Sequence, residues 1–143
     1  MMRFKYLILF VFVFSFLRGF SQCEIVRAML GVEPLSTHLR LDTRLGGCVR
    51  IVDQSKIFKG CKFTYKTFFV GVIDSVPVDF NSGRCVDLAI LKVEKQEGII
   101  IVTVFYTLSG QNDDFANLFM GTVKLVETAE GFEVEEVDIG NVQ

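Results

Sequence analysis

Four cysteines and one histidine are the residues of this chain best suited to covalent or metal chemistry. They are Cys23, Cys48, Cys61, Cys85 and His38. The sequence has no Cys-x-x-Cys pair and a single histidine, so it does not predict a zinc site. It does not predict a Cys–His catalytic pair either, because oxidised thiols are not nucleophiles. An even cysteine count favours disulfides instead, for which three pairings exist.

One of these pairings has a geometric argument. Residues 48–61 resemble a hairpin of two strands with a tight turn midway, and Cys48 then lies opposite Cys61 as a non-hydrogen-bonded pair. Such pairs approach closely enough for a disulfide. This register leaves Cys23 to pair with Cys85.

The first residues predict export. Two cations precede an apolar run at residues 6–17, and Gly19 and Ser21 then occupy the two positions that a cleavage site requires to be small. The run is shorter than the roughly 20 residues that cross a bilayer, so no stable membrane anchor is expected. We expect residues 1–21 to be a signal peptide and residues 22–143 to form a single secreted β domain, extracellular or periplasmic, where disulfides persist.

The charge balance of the predicted mature chain is acidic. Without the three cations of the leader, 12 basic residues face 17 acidic ones, a net charge of −5. An acidic secreted domain is a poor candidate for binding nucleic acid. Residues 22–66 carry 8 basic and 4 acidic side chains, whereas residues 67–143 carry 4 basic and 13 acidic ones. This asymmetry suits a charged partner if folding preserves it, although we expect the charges to intermix.

The composition of the mature chain predicts a mainly β fold. Segments rich in β-branched and aromatic residues occupy residues 62–73, 85–95, 99–108, 117–128 and 132–139. No segment shows a helical pattern longer than about two turns. We therefore expect an antiparallel β-sandwich or small barrel with at most one short N-terminal helix.

Turn residues connect the last of these segments. Residues 95–98 and 128–131 both end in Glu-Gly, which is typical of a tight hairpin whose glycine adopts a left-handed conformation. Residues 85–139 are thus predicted to form a four-stranded antiparallel meander. Residues 99–106 are apolar on both faces, which predicts a strand that is covered on both sides or lines a cavity.

Two shorter segments precede the strands. Residues 25–30 place apolar side chains on one face of a helix, although they also suit a strand. Apolar and polar residues alternate over residues 35–41, and His38 occupies one of the polar positions. We expect an exposed strand histidine there, and not a general base.

Acidic side chains accumulate at the C-terminus. Six of them occur between Glu127 and Asp138, with no basic residue among them. We interpret them as charges that protect an edge hairpin from aggregation, with a docking face for a cationic partner as the alternative. Residues 112–114 offer carboxylate and amide oxygens without the spacing of a calcium loop, so a solvated turn is expected.

About half of the mature chain resembles the ML-type lipid-recognition domain, the family of the Niemann–Pick type C sterol carrier. The segments that carry the resemblance are residues 58–61, 71–80, Cys85, 99–108, 110–114 and 118–125. It implies an exported, disulfide-linked β-sandwich that holds a lipid between its sheets. The chain differs in having four cysteines, no tryptophan and a further hairpin, and no binding residue is carried over. Residues 121–134 also resemble the terminal hairpin of small exported NTF-type domains, whose long helix has no counterpart here.

These features favour a binding module over an enzyme. The sequence has no Gly-x-Ser-x-Gly elbow, phosphate loop or His-Glu-x-x-His motif. Several predicted strands are apolar on both faces, and nine of the 15 phenylalanines lie after the leader. These are more apolar side chains than one sheet face would bury. We expect an apolar, lipid-like ligand and no cofactor or metal; the alternative is a secreted inhibitor or effector that binds a protein through its charged surface. The residues expected to line the ligand pocket are Phe63, Phe68, Val102, Val104, Phe105 and Phe119.

Overall fold

The computed structural model of the protein describes residues 22–41, 46–78, 85–107 and 118–142. The predicted signal peptide and the acidic turn at residues 112–114 lie outside these ranges. The elements within them are α1 (22–30), α2 (Leu35–His38), β1 (Gly47–Asp53), β2 (Lys62–Tyr65), β3 (Phe68–Ile73), β4 (Cys85–Gln96), β5 (Ile99–Thr107), β6 (Leu118–Thr128) and β7 (Gly131–Asn141). The prediction of a mainly β fold is confirmed, with two short helices in the described residues where at most one was expected.

The described strands form one mixed sheet. Their order is β2-β3-β1-β4-β5-β6-β7. β1 runs parallel to both of its neighbours, β3 and β4, and the other pairs are antiparallel. The finer expectation of an antiparallel sandwich or barrel is therefore not confirmed. The composition of a strand does not specify the direction of its neighbour, so the sequence analysis did not predict the parallel pairs.

The meander predicted for residues 85–139 is confirmed by the three antiparallel pairs from β4 to β7. The glycines of its two tight turns, Gly98 and Gly131, have φ angles of 77° and 138°. Glycine adopts this region without the clash that a Cβ would cause. The segment at residues 62–73, by contrast, is not one strand. It turns at Lys66, where φ is 52°, and β2 pairs with β3 as a hairpin.

The helices cover one face of the sheet, which we call the core face. Ile25, Val26, Met29 and Leu30 are all buried, as the helical reading of α1 predicted. The sheet residues of the same cluster alternate along their strands, as side chains of one face must: Val49, Ile51, Phe68, Val70, Leu88, Ile90, Val102, Val104, Val123 and Leu125. The opposite surface of the sheet is called the outer face.

The predicted hairpin over residues 48–61 is not formed. After β1 the buried carboxylate of Asp53 accepts hydrogen bonds from the N–H groups of Ser55, at 2.9 Å, and Phe58, at 2.8 Å. These bonds close a turn, and Phe58 is buried in the core cluster. Since β3 and β4 occupy both edges of β1, no edge is left for residues 56–61.

All four cysteines of the sequence are paired, but the pairing that we predicted is wrong. The disulfides join Cys23 to Cys61 and Cys48 to Cys85. Cys48 and Cys85 are direct partners in the ladder between β1 and β4, with their Cα atoms 4.8 Å apart. Cys23 attaches α1 to the residue that precedes β2.

Candidate functional site

The six residues predicted to line a ligand pocket lie on both faces of the sheet. Phe68, Val102 and Val104 are fully buried in the core cluster beneath the helices. Phe63 and Phe119 pack partly buried against this cluster. Phe105 points to the outer face, since its neighbours in β5 are buried. Binding by these residues stays a prediction, and a ligand among the first three would have to displace packed side chains.

A groove of about 520 Å³ lies on the outer face, across β2, β3, β1 and the start of β4. Its surface is predominantly apolar. The described residues that line it are Cys48, Val49, Arg50, Lys62, Phe63, Thr64, Phe69, Val70, Gly71, Ile73 and Cys85. Phe63 is the member of the predicted set that also lines this groove, but its ring lies on the core face, with its centroid 4.7 Å from the guanidinium carbon of Arg27.

The alternation of β3 explains where the groove lies. Phe68, Val70 and Val72 are buried on the core face, so Phe69 and Gly71 point outward together with Ile73. Phe69 is 73% exposed. A Cβ added to Gly71 would meet nothing within 4 Å. The missing side chain at Gly71 therefore opens a gap in the sheet surface beside an exposed aromatic ring.

The strand register places two cations on either side of this gap. Lys62 of β2 and Arg50 of β1 are the direct partners of Gly71. With strands about 4.8 Å apart, the Cα atoms of the two cationic residues are separated by about 10 Å. A ligand lying over Gly71 would therefore have a lysine on one side and an arginine on the other.

Arg50 is held by a buried carboxylate. Its Nε donates to Oδ1 of Asp87 at 2.8 Å, and its Nη2 donates to Oδ2 at 2.9 Å. The two are neighbours in the β1–β4 ladder, and Asp87 is 3% exposed. This bidentate geometry fixes the guanidinium in one orientation and neutralises most of its charge. Lys62, which is exposed, supplies the net positive charge of the groove.

The disulfide between Cys48 and Cys85 forms part of the groove wall. Cys48 is also the direct partner of Phe69 in β3. The bridge locks β1 to β4 where the groove ends, so this wall does not need to be ordered by a ligand. Sequence reasoning missed Phe69 and Gly71; the available signal was a glycine at an outward position of an otherwise apolar strand.

A second constellation links α2 to the meander. His38 was expected to be an exposed strand residue, and this was wrong, because it ends a short helix and is half-buried. Its Nδ1 lies 2.8 Å from the hydroxyl oxygen of Tyr106, and its ring centroid lies 4.3 Å from that of Phe119. Burial raises the pKa of Tyr106 to about 12. A phenol that stays neutral is a hydrogen-bonding anchor and a poor nucleophile, so this contact fastens α2 to β5.

Both charged halves of the chain contribute strands to the one sheet, and β3, from residues 67–143, lies between β2 and β1. The strands at the β2 end come from residues 47–73, and β4 to β7 come from residues 85–141. The exposed acidic side chains of β7 thus lie at the opposite edge of the sheet from Lys62. As the expected intermixing predicts, Arg50 of the basic half pairs with Asp87 of the acidic half, while the acidic residues of β7 stay together at one edge.

Among the described residues, no group of three or more His, Cys, Asp or Glu side chains is placed to hold a metal ion. Neither helix within the described ranges has the length and apolar character needed to cross a membrane. No protein-family model, curated protein or solved structure matches the chain. The resemblance to the ML-type domain therefore stays a prediction.

Proposed function

We propose that this protein is an extracellular or periplasmic binding module that holds an apolar, lipid-like ligand in the groove over Gly71. The observation that carries the proposal is the mostly apolar groove at Gly71 beside the exposed ring of Phe69. Ligand sites are concave, mostly apolar and about 300–1,000 Å³ in volume, with a few polar groups that orient the ligand. The outer-face groove matches such sites in its volume, about 520 Å³, and in its mostly apolar lining.

The exposed ring supplies a driving force for binding. Phe69 is 73% exposed although its strand lies inside the sheet between β2 and β1. Burying a fully exposed phenylalanine contributes about 1.5–3 kcal/mol, so covering this ring contributes about 1–2 kcal/mol. Further apolar area comes from Ile73 and from the disulfide wall.

The covalent structure supports a role outside the cytosol. Two disulfides that use every cysteine of the chain are typical of oxidising compartments. The expected signal peptide at residues 1–21 agrees with this location. The bridge between Cys48 and Cys85 also preorganises the groove, which lowers the entropy lost on binding.

The test is to fill the groove. Gly71→Leu adds a side chain to open space at a position without positive φ, so the sheet should tolerate it. We expect the oxidised protein to bind the neutral fluorescent probe N-phenyl-1-naphthylamine and Gly71→Leu to weaken binding at least tenfold. Gly140→Leu is the matched control, because Gly140 also lies in a strand with nothing within 4 Å of its added Cβ.

Two results would overturn this proposal. The first is a wild-type protein that does not bind the probe, and the second is a Gly71→Leu variant that binds it as tightly as Gly140→Leu does. Binding that survives Gly71→Leu but is lost in Phe119→Ala would return the site to the core-face residues predicted from the sequence. Circular dichroism of each variant verifies that the sheet is intact.

A second candidate function is a protein-interaction module, an inhibitor or effector without catalysis. The acidic edge of the sheet favours it, because β7 ends the described sheet with exposed Glu133, Glu135 and Glu136. The double variant Glu133→Lys/Glu135→Lys should weaken binding of a lysine-rich peptide. Glu94→Lys/Glu97→Lys carries the same net charge and is the control. Equal losses in both variants, or binding that does not weaken with salt, would argue against a docking edge.

A further inference from the structure

We infer that the ligand of the outer-face groove is an anionic amphiphile, a single alkyl or acyl chain with one negatively charged head, and that Lys62 binds the head. This inference rests on the proposed function and specifies its ligand. It follows from the register, which places Lys62 and Arg50 on either side of the open position at Gly71.

The position of the two cations suits a small head group. An apolar chain that begins over Gly71 and lies along β3 covers Phe69, which is on the same face. The head then lies at the edge strand, within reach of the flexible ammonium of Lys62. Arg50 keeps a fixed orientation through Asp87 and limits the groove on the other side.

The charge of the groove selects against the alternatives. The ion pair between Arg50 and Asp87 adds almost no net charge, whereas Lys62 adds one positive charge. A cationic head would be repelled, and a neutral head would forgo an ion pair. One solvent-exposed ion pair is worth at most about a fivefold change in affinity.

A monomeric amphiphile fits better than an anionic membrane surface. Membrane attraction of this kind needs clusters of about 4–8 lysines or arginines. The described lining of the groove has two, and one of them is paired with a buried carboxylate.

The experiment compares three amphiphiles with the same chain. Decanoate, decan-1-ol and decyltrimethylammonium compete with bound N-phenyl-1-naphthylamine at concentrations below micelle formation. We expect decanoate to displace the probe at concentrations about two- to fivefold lower than decan-1-ol, and decyltrimethylammonium to be the weakest. The advantage of decanoate should shrink as salt is raised.

Two variants locate the head group. Lys62→Met keeps the apolar stem and removes the charge, so decanoate should lose its advantage while decan-1-ol is unaffected. Lys59→Met is the control, since Lys59 is also exposed but does not line the groove. Equal effects of the two variants would overturn the assignment to Lys62.

The remaining outcomes separate this inference from the proposed function. Equal displacement by decanoate and decan-1-ol overturns the anionic head but leaves an apolar groove. Failure of all three compounds, with no probe binding, overturns both. Sedimentation with phosphatidylglycerol vesicles that depends on Lys62, without binding of decanoate, would replace the monomeric ligand by a membrane surface.

Discussion

Opening the two disulfides one at a time would separate the effect of chain entropy from that of core packing. One variant is Cys23→Ala/Cys61→Ala, and the other is Cys48→Ala/Cys85→Ala. The sequence separations of the two bridges are 38 and 37 residues. Their loops are therefore equivalent in length, and any difference between the variants must come from the folded state.

The expected magnitudes follow from loop length and burial. The chain-entropy model assigns about 4 kcal/mol to a loop of this size. Because the two loops overlap over residues 48–61, each bridge closes a shorter loop while the other is present, so each single opening should cost somewhat less. Cys61 is 3% exposed in the core cluster, whereas Cys48 and Cys85 are half-buried. Truncating Cys61 leaves a small cavity, which adds about 1 kcal/mol to the first variant.

The assay is guanidinium denaturation without reductant, followed by circular dichroism. The slope of unfolding changes when a cross-link is removed, so the extrapolated free energies of unfolding should be compared and not the midpoints. A larger loss in the Cys48–Cys85 variant would refute the packing argument. A wild-type peptide map, obtained without reduction, that links Cys48 to Cys61 would refute the fold itself.

Three further predictions concern buried or crowded positions. The pKa of Tyr106 is raised from 10.0 to about 12, so the contribution of its neutral phenol to the free energy of unfolding is complete below pH 10, and about 3 kcal/mol of it is lost as the pH rises to 12. Tyr106→Phe should remove this part of the loss of stability at alkaline pH, as measured by denaturation at several pH values. Asp87→Asn leaves the guanidinium of Arg50 without its carboxylate, so it should lower the free energy of unfolding by about 3–5 kcal/mol. The double variant Arg50→Met/Asp87→Leu should restore most of this loss. A loss below about 1 kcal/mol in Asp87→Asn would contradict the importance of the pair. In Gly121→Ala the Cβ would overlap the backbone of β7, so hydrogen exchange should show faster opening of that strand. Gly140→Ala, whose Cβ meets nothing within 4 Å, should not have this effect. Equal exchange in the two variants would refute the close approach of β7 to Gly121.

Local features of the fold were predictable from short stretches of sequence. The meander from β4 to β7 follows from strand-forming residues and two Glu-Gly turns, and both signals lie within a few positions of the structure that they specify. The buried face of α1 follows from the spacing of Ile25, Val26, Met29 and Leu30 in the same way. Turn chemistry and helical periodicity act over distances that a single sequence reveals.

The candidate site was predictable only in its chemical character. An excess of apolar strand residues indicated an apolar ligand, but three of the six residues chosen for it fill the core and two more pack against it. The groove depends on Gly71, whose importance arises from its neighbours. The space around it and the cations beside it exist only once β2 and β1 are placed on either side of β3.

By itself, then, the amino-acid sequence determined the β character of the chain, its meander, its amphipathic helix and the presence of paired cysteines. The tertiary structure decided which cysteines pair, which strands run parallel and which faces are covered. The local rule favoured a hairpin between β1 and residues 56–61, yet Asp53 closes a turn there, and distant strands occupy both edges of β1. Pairing between distant strands is settled by the burial of whole faces against the helices, a free energy that is shared among residues far apart in the chain and that short-range patterns do not contain.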